Sequence, residues 1–142
     1  MADQSLHDVV LHRDPASLPP DAKVQEACAL MRDRRIGSVL VTDGDGRLRG
    51  IFTGRDAVCR VLAAGLDPAQ LTLAQVMTPG PTTLPAGAGA LDALRVMQDG
   101  GFRHVPVVAS NGACVGVVSR GDFRAVQHAR LVTETSLFEI LR

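Results

Sequence analysis

Two short motifs carry the residue types that could do chemistry. Thr53-Gly54-Arg55-Asp56 and Ser119-Arg120-Gly121-Asp122 each place a hydroxyl three positions before a carboxylate. At the start of a helix such a pair forms a capping box: the hydroxyl accepts from an N–H of the first turn and the acid reaches back to the N-cap N–H. The acid also suits the positive end of the helix dipole. Capping does not account for Arg55, a cation in a first turn where the dipole disfavours it. A bound anion would, since free amides and the dipole can hold a phosphate beside Arg55 while Asp56 accepts hydrogen bonds from a ribose diol. In the second motif Gly121 replaces that cation and Arg120 stands one position earlier, so two sites of unequal affinity are expected.

Each motif closes a longer repeated stretch. Arg49-Gly50-Ile51-Phe52 leads into the first as Val115-Gly116-Val117-Val118 leads into the second, and Asp56 and Asp122 stand 66 positions apart (122 − 56). Gly50 and Gly116, Val41 and Val107, Met31 and Met97, and Pro19 and Pro85 keep the same offset without insertion. Self-similarity of this kind predicts two copies of one supersecondary unit, divided as residues 1–66 and 67–142. A unit of roughly 60 residues is marginal alone, so the two should pack on each other.

The elements that position the motifs follow from periodicity. Val24, Ala27, Cys28, Leu30 and Met31 recur at helical spacing over residues 21–35, as do Ala90, Ala93, Leu94, Val96 and Met97 in the second copy. Arg32, Arg34 and Arg35 crowd the end of the first helix, where cations favour the dipole's negative end; they read as a solvated helix end rather than a binding patch. Residues 36–42 and 48–53 flank Asp43-Gly44-Asp45-Gly46 as a hairpin, and residues 102–109 and 114–119 flank Ser110-Asn111-Gly112. Pro106 cannot donate to a ladder, so its strand should expose that edge or begin there. Helices are expected over residues 53–64 and 119–132, and Val9, Val10 and Leu11 suggest a short strand in the lead-in. Gly87-x-Gly89 lacks a following Lys-Ser/Thr and reads as a helix entry rather than a phosphate loop. If helical, residues 137–141 are apolar on one face and fit packing against the module or a dimer mate.

Apolar residues make up 46% of the 142-residue chain, and fifteen basic residues balance fifteen acidic ones. That balance marks neither a nucleic-acid-binding nor a membrane-surface protein. No window approaches the ~20 apolar residues of a spanning helix, and the polar first fourteen residues do not read as a signal peptide. Cys28, Cys59 and Cys114 lack metal-ligand spacing and read as reduced core residues of a cytoplasmic, globular protein. Neither a nucleophile elbow nor a His-Glu-x-x-His motif is present, so no enzyme is expected.

Taken in order, several features resemble the CBS domain, named after cystathionine beta-synthase. They are the run Val24-Gln25-Glu26-Ala27 through Met31, Val105-Pro106-Val107, the glycines at 50 and 116, the Thr/Ser-x-x-Asp endings and the lead-in Val76-Met77-Thr78-Pro79. The resemblance spans nearly the whole chain as a tandem pair, a Bateman module. It implies an α/β (α+β) fold of two βαββα repeats related by pseudo-twofold symmetry, with their sheets packed together. It further implies two clefts for adenosine-containing ligands (AMP, ADP, ATP, NAD or S-adenosylmethionine), no required cofactor, a homodimer and an unidentified regulated partner. Thr53 and Asp56 match the ribose-contacting pair and Arg55 a phosphate contact; Ser119 and Asp122 match in the second copy, with Arg120 displaced. Each cleft is expected to mix the Asp of one copy with the lead-in and first hairpin strand of the other. That gives Asp56 the company of Thr78, Pro79, Arg103, His104 and Val105, and Asp122 that of Leu11, His12, Ile36, Gly37 and Ser38. Arg103 would be a second phosphate contact; His104 would cover base or phosphate, or simply pack. The leading expectation is a ligand sensor signalling to a partner, and its rival a ligand-free structural or dimerisation module.

Overall fold

The β-branched runs and glycine-bearing turns form both expected hairpins in the computed structural model, which describes residues 5–10 and 13–123. Strand β1 (Ser17–Leu18), helix α2 (Val24–Arg34), strands β2 (Ser38–Thr42) and β3 (Leu48–Thr53) and helical turn α3 (Gly54–Asp56) make the first repeat. A π-helical turn, Ala57–Leu62, continues α3. In the second repeat come β5 (Leu84–Pro85), α5 (Ala90–Gly100), β6 (His104–Val108), β7 (Cys114–Ser119) and a 3₁₀ turn, Arg120–Phe123. Before each repeat stands a short lead-in helix, α1 (Leu6–Val10) or α4 (Leu73–Val76), and β4 (Thr78–Pro79) follows α4.

The registers of the two hairpins superpose. Ser38 faces Thr53 as His104 faces Ser119, Val41 faces Gly50 as Val107 faces Gly116, and both slip by a bulge at the matching place. The parallel ladder with β5 takes in only Val107 and Val108 and does not extend to Pro106. In the first copy Leu40 holds Pro106's place and donates its N–H to Ala16 O at 2.9 Å, the bond proline cannot make. One sheet runs β1-β2-β3-β4 and the other β5-β6-β7.

Helix α2 ends on a left-handed residue whose successor, Ile36, donates to Met31 O at 3.0 Å; α5 ends the same way, Phe102 donating to Met97 O at 3.0 Å. The left-handed residue is Gly101 (φ 71°) in the second copy but Arg35 (φ 53°) in the first. Among the described residues Arg35 is the only non-glycine at positive φ.

The lead-ins are exchanged between the repeats. Leu73 and Val76 of α4 sit in the first core with Val24, Ala27, Met31, Val39, Val41, Phe52 and Val61. Conversely, Leu6 and Val10 of α1 join Ala93, Met97, Val105, Val107, Val118 and Phe123 in the second. Glycines permit the close approach: a Cβ at Gly50 would lie 2.8 Å from Thr78 O, and one at Gly116 would lie 2.7 Å from Val10 Cβ.

Two expectations need correcting. Val9 and Val10 belong to helix α1 rather than a strand, because helical spacing drops Leu6 and Val10 together into the second core. Cys59 is exposed rather than in a core; Cys28 and Cys114 are partly buried, and burial pushes both their thiol pKa values up. Leu11, His12, the helix expected through residue 132 and the apolar stretch 137–141 lie outside the described residues.

Candidate functional site

Both hydroxyl–carboxylate pairs sit where a hairpin's second strand turns into a helical turn. Thr53 has extended backbone (φ −116°, ψ 165°) as the N-cap. Its N–H and Oγ1 donate to Asp56 Oδ2 at 2.9 and 3.0 Å, and Asp56 N–H returns to Thr53 Oγ1 at 3.2 Å. Ser119 N–H and Oγ likewise donate to Asp122 Oδ2, at 2.7 and 3.3 Å. A further N–H at each turn is already used: Gly54 donates to Gly37 O at 3.1 Å and Arg120 to Arg103 O at 2.9 Å.

The second oxygen of each carboxylate has a different fate. Asp56 Oδ1 faces Arg60 Nε at a loose 3.5 Å, one helical turn away. Arg60 also donates to the carbonyls of Val76 and Met77 at 3.4 and 3.2 Å, tying the turn to the second lead-in. Asp122 is instead gripped by Arg13, whose two terminal nitrogens donate to its two oxygens at 2.8 Å each. A planar guanidinium matches a carboxylate in this two-pronged way. Burial by itself would raise the Asp122 pKa, but the Arg13 and Ser119 hydrogen bonds and the Arg13 charge outweigh it and hold the group below its ordinary value.

Around Asp122 opens a cavity of about 480 Å³, within the few-hundred-Å³ range of small-ligand pockets. Ile36, Gly37 and Ser38 from the first repeat form one wall, and Val117, Ser119 and Asp122 form the other. His104 lines this cavity too, although it was expected beside Asp56. Hairpin pairing explains the difference: His104 lies directly opposite Ser119, and a Cβ at Gly37 would lie 2.8 Å from its Nε2. Burial lowers the His104 pKa; Asp122 raises it and Arg103 lowers it further, leaving it below the ordinary value.

The other expected residues are more dispersed. Thr78 and Pro79 pair with Ile51 and Gly50 at the edge of the first sheet. Val105 has no exposed surface and packs in the second core, so its side chain lines neither cleft. Arg55, Arg103 and Arg120 are exposed, and none of the three lines the Asp122 cavity. The lining residues that the sequence reading does not name as site residues include three arginines, Arg13, Arg34 and Arg35, together with Asp14 and Val117. Arg13 had a signal in the sequence, since it stands at the repeat offset from Pro79, itself a candidate. Among the described residues no cluster of His, Cys, Asp and Glu could hold a metal, and no helix is long and apolar enough to cross a membrane.

The CBS domain family model matches residues 6–62 and again 73–129. The chain belongs to the CBS domain family. As a CBS pair it resembles a CBS-domain containing protein of Agrobacterium tumefaciens, at 31% identity over 87% of this chain and 98% of that one, with a TM-score of 0.77. A CBS domain protein of Pyrobaculum aerophilum, solved in complex with AMP, matches at 29% identity over 92% of this chain and 99% of that one, with a TM-score of 0.80. A CBS domain-containing protein of Arabidopsis thaliana is 39% identical over 102 residues, 72% of this chain. The CBS pair spans only 18% of that relative's length.

Proposed function

We propose that this CBS pair is a regulatory module that binds adenosine-containing ligands between its repeats and passes their occupancy to a partner protein. The cavity at Asp122 carries the proposal. It joins a carboxylate and the hydroxyls of Ser119 and Ser38 to the apolar side chains of Ile36 and Val117, the mixture of polar and apolar groups that a nucleoside needs. The AMP complex of the Pyrobaculum relative supports the ligand class. A ribose diol donates to Asp122 in place of the Arg13 guanidinium. Arg13 is bonded to the end of α1, its N–H donating to Val10 O at 2.9 Å, and α1 is anchored in the second core. Exchanging its partner therefore biases the lead-in, and ligand binding shifts the population of lead-in positions. In this reading the module works as a homodimer in the cytoplasm, divided near residue 66, with no catalytic step, no required cofactor and no nucleic-acid or membrane partner. The cleft by Asp56, with Thr53 and Arg55, serves as a second and unequal site.

Thermal melting with and without adenosine ligands tests this. A ligand at 100 times its Kd stabilises by about 2.7 kcal/mol, a rise of several degrees in midpoint. The rise should shrink in Asp122→Ala and vanish when Asp56→Ala is added. Both carboxylates are already satisfied as capping groups, which favours the rival reading of a ligand-free dimerisation module. Absence of any rise with AMP, ADP, ATP, NAD or S-adenosylmethionine would decide for that rival.

A further inference from the structure

We infer, building on the adenosine-binding reading above, that Arg13, Arg34 and Arg35 make the Asp122 cleft favour phosphorylated adenosine ligands over uncharged and cationic adenosyl compounds. All three arginines are among the residues lining the same cavity. Facing them are the carboxylates of Asp122, held by Arg13, and of Asp14, which Arg34 meets only at 4.0 Å. Asp14 is almost wholly exposed, with 91% of its side chain accessible. Once a ribose occupies Asp122, the Arg13 guanidinium loses its partner beside the ligand. An anionic group on that ligand restores the balance, whereas the sulfonium of S-adenosylmethionine would add a like charge.

The repeat supplies an internal control. At the 66-residue offset the three arginines correspond to Pro79, Gly100 and Gly101 (13 + 66, 34 + 66, 35 + 66). The second copy thus builds the same helix end from glycines, and the architecture itself does not require cations there. Arg35 even occupies the left-handed conformation that its glycine counterpart adopts without steric penalty. Helix-dipole stabilisation is a sufficient reason for Arg32, which is exposed and pairs with its neighbour Asp33 at 2.9 Å. It gives no reason to put a side chain at the strained position. Backbone strain that persists at the wall of a cleft points to use of the side chain.

Titration calorimetry of the full chain, without magnesium, separates the possibilities using adenosine, AMP, ATP, S-adenosylmethionine and inorganic tripolyphosphate. Affinity should climb from adenosine to AMP to ATP by about tenfold or more per step, and added salt should weaken the charged ligands selectively. S-adenosylmethionine should bind no better than adenosine. In the double variant Arg34→Gln/Arg35→Gly the steps should shrink severalfold with adenosine affinity unchanged. Arg35→Gly alone should melt no earlier than wild type, which guards against loss of fold. Equal affinities along the series, tightest binding of S-adenosylmethionine, or a series unaltered in the double variant would each overturn the charge selection while leaving adenosine binding standing. Tripolyphosphate binding that depends on Arg34 and Arg35, without a gain from adenosine, would uphold the anion seat and overturn the adenosine reading. If none of the five binds, both fall.

Discussion

Asp56 and Asp122 close the same loop onto a strand-ending hydroxyl, yet each takes its arginine from a different place. Asp56 faces Arg60 on its own helical turn, while Asp122 is gripped by Arg13, 109 positions away. Neither arginine is repeated, since the counterpart of Arg60 is Val126 and that of Arg13 is Pro79. Residues that the backbone needs twice therefore recur, and those that surround each carboxylate are free to diverge. One repeated scaffold can thereby set its two carboxylates in different surroundings.

The glycines that admit the exchanged lead-ins offer the harshest test of that shared scaffold. Gly50→Val should cost about 3 kcal/mol or more, because its Cβ meets the backbone oxygen of Thr78, which cannot move aside cheaply. Gly116→Val meets a side chain, Val10, and should cost less. Urea unfolding of both variants measures the gap; equal costs would mean that the two lead-ins yield alike.

Removing the carboxylates comes next. Each loses a capping interaction of about 1 kcal/mol, and Asp122→Ala also strands Arg13. Because the Arg13 side chain is 43% exposed, that ion pair adds at most about 1 kcal/mol. Asp122→Ala should therefore melt below Asp56→Ala, and the difference should disappear when Arg13→Ala is combined with each.

Exchanging the helix ends should produce effects of opposite sign. Arg35→Gly relieves a left-handed residue and should stabilise by about 1 kcal/mol, while Gly101→Arg should destabilise by a similar amount. Paired melting curves check both. Loss of stability in Arg35→Gly would show that the arginine side chain holds the helix end.

The smallest effects are expected in the pH profile. His104 has a lowered pKa, so the folded state prefers it neutral; its contribution is complete above the ordinary value of 6.5 and is lost as pH falls through the folded value. Asp122 is also lowered, and its contribution is complete above 3.8 and is lost as pH falls through its own folded value. Acid unfolding should show two successive losses. His104→Gln should erase the upper one and Arg13→Gln should reduce the lower.

Local signals made much of this legible in the sequence. Both hairpins, both long helices, the Thr53–Asp56 capping box and the matching Ser119–Asp122 contact follow from β-branched runs, helical periodicity and the Thr/Ser-x-x-Asp spacing, all of which act within a few residues. Harder to read were Val9 and Val10, whose β-branched side chains suggest a strand; tertiary burial with Leu6 makes them helical. Crossing the repeats places His104 beside Asp56, whereas its own hairpin partner, Ser119, carries it to the Asp122 cavity. Arg34 and Arg35 looked like a dipole-favoured helix end, which they are, but only the fold shows that the end opens on the cavity.

The exchanged lead-ins bear on how such a chain could arise. Each core takes two large side chains, Leu73 and Val76 or Leu6 and Val10, from the segment that introduces the opposite repeat. A single-repeat ancestor would have lacked those side chains for its own interior and would have found them only by trading arms with an identical molecule. Tandem duplication would then have made an existing reciprocal embrace covalent, so that joining the two genes required no new interface.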